Sequence, residues 1–329
     1  MNSEPLRLGS RKSPMAVSQS GEVARRITER TGRRVEIVGV TTFGDVSREQ
    51  LTQIGGTGVF VSALREALLS GEVDFAVHSL KDLPTGAAPG ITLAAVPPRD
   101  DPRDALVARD GAKLADLPPG ARIGTGSPRR AAQLSMLRSD VTCLPIRGNA
   151  NTRLAKVREG EFDAVLLAYA GLARIGQTDL ASEIFEPDAM VPSPGQGALA
   201  VECRTDNTEL TELLATIDHA PTRAAVTAER SLLAALEAGC SAPVGAYATV
   251  VGRDRLHLEG VVLGATAASF PPAMLDSAST SGRMVIRERG EADAADAADL
   301  GRVLAARMLA LGAAGLMRGE DTDGNDAHD

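Results

Sequence analysis

Tryptophan is absent from this 329-residue chain, which holds only two tyrosines and six phenylalanines. So few aromatic faces argue against a surface on which nucleobases stack. Positive charge is also in short supply. Lysine and arginine number 35 against 43 acidic residues, a formal net charge of −8, whereas nucleic-acid binding needs a basic face. Cysteine occurs three times, as Cys143, Cys203 and Cys240, far apart and odd in number, which fits neither a disulfide framework nor a zinc pattern. His78, His219, His257 and His328 lack metal-ligand spacing, so no metal is expected. No apolar run approaches the roughly 18 residues of a membrane span. An N-terminal apolar stretch of signal-peptide type is missing as well, so the expectation is a cytoplasmic protein without a membrane partner.

What the chain does contain is alternation. Leu6 to Gly9, Val35 to Thr41, Asp74 to Val77 and Ile91 to Val96 read as strands, with helices from Ser13-Pro14 to about Arg30 and from Phe60 to Leu69. Pro14 after Ser13 suits the first helical position after a cap. A second unit begins near Pro97-Pro98-Arg99-Asp100-Asp101-Pro102, a stretch suited to crossing between domains. Its strands are Ala105 to Ala108, Ala121 to Gly124, Val141 to Ile146 and Ala164 to Ala168, with helices Pro128 to Leu137 and Thr152 to Arg158. Alternation of this kind predicts parallel sheets with ligands beyond the strand C-termini. Ala198 to Cys203 is a lone strand after Pro192 to Gly197, placed to cross back into the first sheet. From about Pro221 a helix, three alternating runs (Gly245 to Val251, Leu256 to Leu263, Met284 to Glu288) and an Ala-rich helix predict a small α+β domain. Ala265 to Gly282 reads as a loose loop, and Gly319 to Asp329 as a disordered acidic tail.

Five arginines stand out against the net negative charge: Arg129, Arg130, Arg147, Arg153 and Arg174. Each follows a short apolar run, at or near a predicted helix start, where backbone amides and guanidinium forks both bind anions. Arg129 and Arg130, after Ser127-Pro128, occupy a first helical turn whose dipole opposes cations by about 0.3–1 kcal/mol each. A bound anion would offset that cost. Gly148 beside Arg147 allows close backbone approach, whereas spacing alone leaves Arg174 open. Lys81-Asp82 ends a strand and reads equally as a surface ion pair or as a carboxylate that stabilises a cation or shuttles a proton. Cys240 sits in a small-residue loop with no base visible nearby, while Cys143 and Cys203 lie in apolar strands. The Gly-rich Thr42 to Gly58 connection suggests a lid over a cleft.

These segments together resemble the hydroxymethylbilane synthase (porphobilinogen deaminase) family. The resemblance rests on Gly9 to Pro14 with Ala16 and Gln19, Thr42 to Asp45, Gly58 to Phe60, His78 to Pro84 and Gly124 to Arg130. It continues through Arg147 to Asn149 with Arg153, Ala170 to Arg174, Pro194 to Ala198, and Glu229-Arg230 with Gly239-Cys240, in family order over about residues 5 to 262. Departures fall at Thr57, Ser62, Gly126 and Pro128.

The resemblance implies two α/β domains like type II periplasmic binding proteins around a cleft, plus a small α+β domain. Their expected limits are 1–98 with 198–217, 99–197, and 218–318, leaving 319–329 as tail. It further implies a dipyrromethane cofactor in thioether linkage to Cys240 and a head-to-tail condensation of four porphobilinogens that releases ammonia. Asp82 would be the catalytic acid. Lys81, Asp82, Thr125, Ser127, Arg129, Arg130, Arg147 and Gly148 would hold the cofactor. Arg11, Ser13, Gln19, Phe60, Arg147, Arg153, Ala168, Arg174 and Gln196 would hold substrate. The product would pass to uroporphyrinogen-III synthase, and the enzyme is expected to be a monomer. The rivals are a non-catalytic anion-binding protein with the same cleft, and an anion transferase that uses a cysteine nucleophile.

Overall fold

In the computed structural model the described residues are 4–40, 58–238, 242–264 and 285–318, with only the backbone described for 58–60. The expectations for the Thr42 to Gly58 lid, Thr57, Cys240, the 265–282 loop and the tail therefore lie outside the described residues, as does the side chain of Phe60.

Strands β1 (Leu6–Ser10), β2 (Val35–Gly39), β3 (Phe75–Ser79) and β4 (Ile91–Ala95) form the first sheet together with β10 (Leu199–Arg204), in the order β2-β1-β3-β10-β4. The second sheet contains β5 (Asp104–Ala108), β6 (Arg122–Gly124), β7 (Thr142–Leu144), β8 (Ala164–Ala168) and β9 (Glu183–Phe185), in the order β7-β6-β8-β5-β9. The two orders are the same pattern. Three parallel strands run second, first, third; a crossing strand then enters antiparallel, and a fourth strand closes the edge. This is the arrangement of type II periplasmic binding proteins, as expected. The sheets are mixed rather than wholly parallel, because each crossing strand arrives from the neighbouring unit and runs against its new partners. The short edge strand β9, too brief to show a period in sequence, completes the second sheet.

The helices are set by local chemistry as well as by apolar spacing. Helix α1 (Pro14–Thr31) starts where the Ser13 hydroxyl accepts from Ala16 N at 3.3 Å, and ends where Gly32 turns left-handed at φ 70°. It buries Val23 and Ile27 against Leu6, Leu8 and Phe75 of the first sheet. Helix α2 (Gly58–Leu69) covers β3 and β1. In the second unit, α3 (Pro128–Leu137), α4 (Ala150–Arg158) and α5 (Tyr169–Arg174) follow β6, β7 and β8, respectively. Ser127 caps α3 and Asn149 caps α4. Helix α6 (Thr208–Ala215) packs under the first sheet. The antiparallel sheet β11 (Val244–Val251), β12 (Arg255–Leu263) and β13 (Val285–Asp293) is covered by α7 (Ala220–Ala235), α8 (Ala297–Ala310) and α9 (Ala313–Arg318) around one apolar cluster. Its third strand runs five residues beyond the Glu288 at which the apolar alternation had suggested an end.

The chain crosses between the first two sheets on two irregular segments, 96–103 and 191–198, that touch. Asp100 N donates to Gly197 O at 3.2 Å. Gly197 has φ +84°, and a Cβ there would stand 2.6 Å from Asp100 O. Replacing Gly197 by alanine is expected to destabilise the fold by at least about 1–3 kcal/mol, from left-handed strain plus a backbone clash. A urea titration against wild type measures this.

Candidate active site

Turns at the C-terminal ends of strands in both sheets face one cleft. Strand β3 runs into a single 3-10 turn, Leu80–Asp82, that presents Lys81 and Asp82. On the other side, β6 leads through Thr125 to Ser127 into α3, and β8 leads through Ala168 into α5. Two cavities meet there. One, of about 180 Å³, is lined by Lys81, Asp82, Arg130, Arg153, Ala168 and Arg174 among others. Arg11, Ser13, Gln19 and His78 contribute to the second, of about 170 Å³. Met15, Ser79 and Asp82 line both, so Asp82 stands at their junction. A larger cavity of about 660 Å³ opens elsewhere, near Glu4, Arg33 and Asn207, and its Arg7 and Asp74 are already paired at 2.7 Å.

Behind the cleft is a buried polar cluster. Asp104, the first residue of β5, is completely buried. Its carboxylate receives Arg129 Nη2 at 2.7 Å, Arg130 Nη2 at 2.8 Å and Arg130 Nε at 2.9 Å, and Gln196 Nε2 at 2.9 Å. Burial alone would raise the Asp104 pKa, but the fields of Arg129 and Arg130 outweigh it and hold the group at about 2. Arg129 also donates to Val191 O at 2.6 Å, and Arg130 to Leu166 O at 3.1 Å. The anion that offsets the helix dipole for these two cations is thus supplied by the protein itself. Of the pair, Arg130 still lines the cleft cavity, whereas Arg129 does not.

Lys81 donates to Gln196 Oε1 at 3.3 Å, on the same amide oxygen that faces Arg130 Nη2 at 3.4 Å. Burial, with Arg130 adding to it, pushes the Lys81 ammonium down to about 8. Gln196 lies wholly inside, joining Lys81, Arg130 and Asp104 without lining either cavity. Arg174 donates from Nε to Asp100 at 2.9 Å and from Nη2 to Gly197 O at 2.8 Å, which ties it to both crossing segments while it lines the cavity. Arg153 Nε donates to Gly148 O at 2.9 Å. Gly148 itself has φ +103°, and a Cβ there would lie 2.8 Å from Thr152, so this turn demands glycine. Arg147 and Gly148 are exposed and line neither cavity.

Thr125 and Ser127 shape the turn, Thr125 Oγ1 accepting from Ser127 N at 3.2 Å and Ser127 Oγ from Arg130 N at 3.4 Å. Gln19 Nε2 donates to Ser79 Oγ at 2.9 Å. His78 is a wall residue whose Nε2 lies 3.2 Å from Glu202. Cys203 is buried, and Cys143 is half-buried with its thiol pushed up to about 11 by burial, which leaves both unreactive.

Sequence reasoning assigned no role to several residues that the structure brings forward. Met15 in the cleft carries no charge or motif to mark it, and Ser79 entered only as a member of the His78 to Pro84 segment. Asp104 was hidden among the charges of the crossing strand, where only its place as the first β5 residue gives it a role. Glu229 of α7 is fully buried and accepts from Arg99 at 2.6 and 3.1 Å, Gly195 N at 2.6 Å and Ala248 N at 2.9 Å. Replacing Asp104 by asparagine leaves two buried guanidinium groups short of counter-charge and is expected to cost about 3–5 kcal/mol. Because the folded-state pKa is depressed, the Asp104 contribution is full above about pH 4 and fades as pH falls towards 2. Chemical denaturation of both proteins between pH 7 and 2 should show the gap narrowing at the acid end.

Comparison with known proteins places the chain in one family. The family model described as "Porphobilinogen deaminase, dipyromethane cofactor binding domain" matches residues 6–212, and "Porphobilinogen deaminase, C-terminal domain" matches 223–269. A porphobilinogen deaminase from Thermobifida fusca is 64% identical over 264 residues, covering 80% of this chain and 82% of that one. Porphobilinogen deaminase 1 from Streptomyces coelicolor is 56% identical over 325 residues, covering 96% and 98%. Among solved structures, a periplasmic substrate-binding protein of an ABC transporter from Coxiella burnetii aligns over 64% of this chain and 91% of its own, at 17% identity and a TM-score of 0.41. With one family model spanning more than half of its length and near full-length relatives above 50% identity, the chain belongs to the porphobilinogen deaminase family.

Proposed function

We propose that Asp82 is the carboxylate on which the reaction turns, and that the cations around it hold the pyrrole carboxylates. As a member of its family the chain is a transferase of tetrapyrrole biosynthesis. It condenses four porphobilinogens into hydroxymethylbilane with loss of ammonia, and its cofactor is dipyrromethane. That activity sets aside the reading as a non-catalytic anion receptor. The position of Asp82 at the junction of two cavities, with Lys81, Arg130, Arg153 and Arg174 around one and Arg11 in the other, carries the assignment.

The donor set fits the cofactor. Each pyrrole ring brings an acetate, a propionate and an N–H donor, and the site offers several cations about a single acceptor carboxylate. The cofactor, when bound, supplies the free pyrrole carbon from which the chain extends. Lys81, Arg130 and Arg153 would hold its carboxylates with Arg147, while Thr125, Ser127 and Gly148 shape the turns. Arg129 acts beneath them by keeping Arg130 and Asp104 in place. Arg11, Ser13, Gln19 and Arg174, with Ala168 and Phe60, would seat the incoming porphobilinogen. Gln196 orients Lys81 and Arg130 from behind. Asp82 accepts pyrrole N–H groups and stabilises the positive charge that develops on the substrate as ammonia departs; a fixed carboxylate in a partly desolvated cleft does this without reorganising.

We further assign the thioether link to Cys240, and the domains to 1–98 with 198–217, 99–197 and 218–318. The strand exchange of β10 and the separate apolar cluster beneath β11 to β13 support these limits. Among the described residues no helix is long and apolar enough to cross a membrane. A cytoplasmic monomer that passes its product to uroporphyrinogen-III synthase fits a net charge of −8, which favours solubility.

Intact-mass measurement should find an adduct of dipyrromethane size on the purified chain and none on Cys240→Ser; an unmodified, fully active wild type would refute the attachment. Asp82→Asn is expected to keep fold and adduct while kcat drops by about 10²–10³-fold, read by porphobilinogen consumption. With Lys81 titrating near 8, kcat/KM should decline above that pH, and Lys81→Arg should move the decline upward because the guanidinium stays charged.

A further inference from the structure

Helix α7 sends Arg230 away from its own apolar cluster and into the back of the catalytic turn. Its Nη1 donates to Leu80 O at 3.2 Å and Leu83 O at 2.8 Å, and its Nη2 to Pro84 O at 2.7 Å. These carbonyls bracket Lys81 and Asp82 on both sides. The turn is otherwise held by Leu83 N to Leu80 O at 3.1 Å and by Leu80 N to Ala198 O at 3.0 Å. Neither of those bonds fixes the exit of the turn at Pro84, which has no N–H to donate. Three carbonyls converging on one planar guanidinium define a position more tightly than a point charge would.

The preceding residue, Glu229, grips Arg99 and the Gly195 amide at the crossing segments. Consecutive residues of one helix therefore hold the crossing segments and the Lys81-Asp82 turn, and Cys240 follows the same helix by five residues in the sequence.

We propose that Arg230 is a positioning residue for the reaction: it sets the height of Asp82 in the cleft from the third domain, so that the unit carrying the cofactor loop also aligns the catalytic carboxylate. This rests on the role given above to Asp82. A displacement of about 1 Å in a reacting group can cost about 10²-fold in rate, so losing three anchoring bonds should appear in kcat rather than in binding.

The test uses the full chain, with adduct loading confirmed by intact mass. Arg230→Gln is expected to lower kcat by about 10-fold or more with KM within about twofold, and Arg230→Lys to recover part of the loss. Ser231→Ala, which removes the bond from Ser231 to Ala298 O at 2.7 Å on the same helix, serves as a stability control with kcat unchanged. Hydrogen exchange should rise in peptides covering 80–86 of Arg230→Gln while α7 stays protected. Should Arg230→Gln fail to load, Arg230→Lys carries the comparison. An Arg230→Gln enzyme with wild-type kcat, beside an inactive Asp82→Asn, overturns the inference and leaves the role of Asp82 standing. A fully active Asp82→Asn overturns that role instead. A kcat loss matched by Ser231→Ala makes Arg230 merely structural.

Discussion

Two guanidinium groups cannot be buried side by side without a counter-charge, and in this protein Asp104 provides it. Around that one carboxylate are gathered Arg129 and Arg130 from the start of α3 and Gln196 from the returning crossing. Through Gln196 the cluster reaches Lys81 on the far side of the cleft. The charges that line the cleft are therefore the outer members of a network whose inner members, Arg129 and Asp104, do not line it. A cation fixed in this way is ready for a carboxylate without first finding its own conformation, which is what electrostatic preorganisation requires.

The same logic extends to the two crossing segments. Arg174 bonds both of them, and Ser18 of α1 donates to Arg174 O at 2.8 Å from across the cleft. Arg99 is held by Glu229 and lies 5.6 Å from the ring centre of Tyr247. The third unit thus grips the segments on which the chain passes between the first two sheets. The third unit is consequently tied to the cleft, since helix α7 reaches the crossing segments through Glu229 and the Lys81-Asp82 turn through Arg230.

Much of the site was legible in the chain. The strand-end arginines, Lys81-Asp82 and the glycine turns carry local signals: a cap, a first-turn proline, a positive φ that only glycine accepts easily. Arg147 to Asn149 could be read in this way because everything that shapes it lies within a few residues. Arg129 and Arg130 could not be told apart by such means, for both follow the same cap. One turns inward to Val191 and the other reaches the cleft, a difference set by what packs opposite. Asp104 gave no signal of its own, and Glu229 was marked only as part of a family segment, with no role, because a buried carboxylate is defined by partners distant in sequence.

The sequence by itself determined the kinds of element and the anionic character of the ligand. These follow from apolar period, capping chemistry and charge, all local properties. Only the tertiary structure decided which cations remain available and which are neutralised within. It also decided that the Lys81-Asp82 turn is held by an arginine from the third sheet's covering helix. Ion pairing and desolvation depend on distances between residues far apart in the chain, and only the folded packing sets those distances.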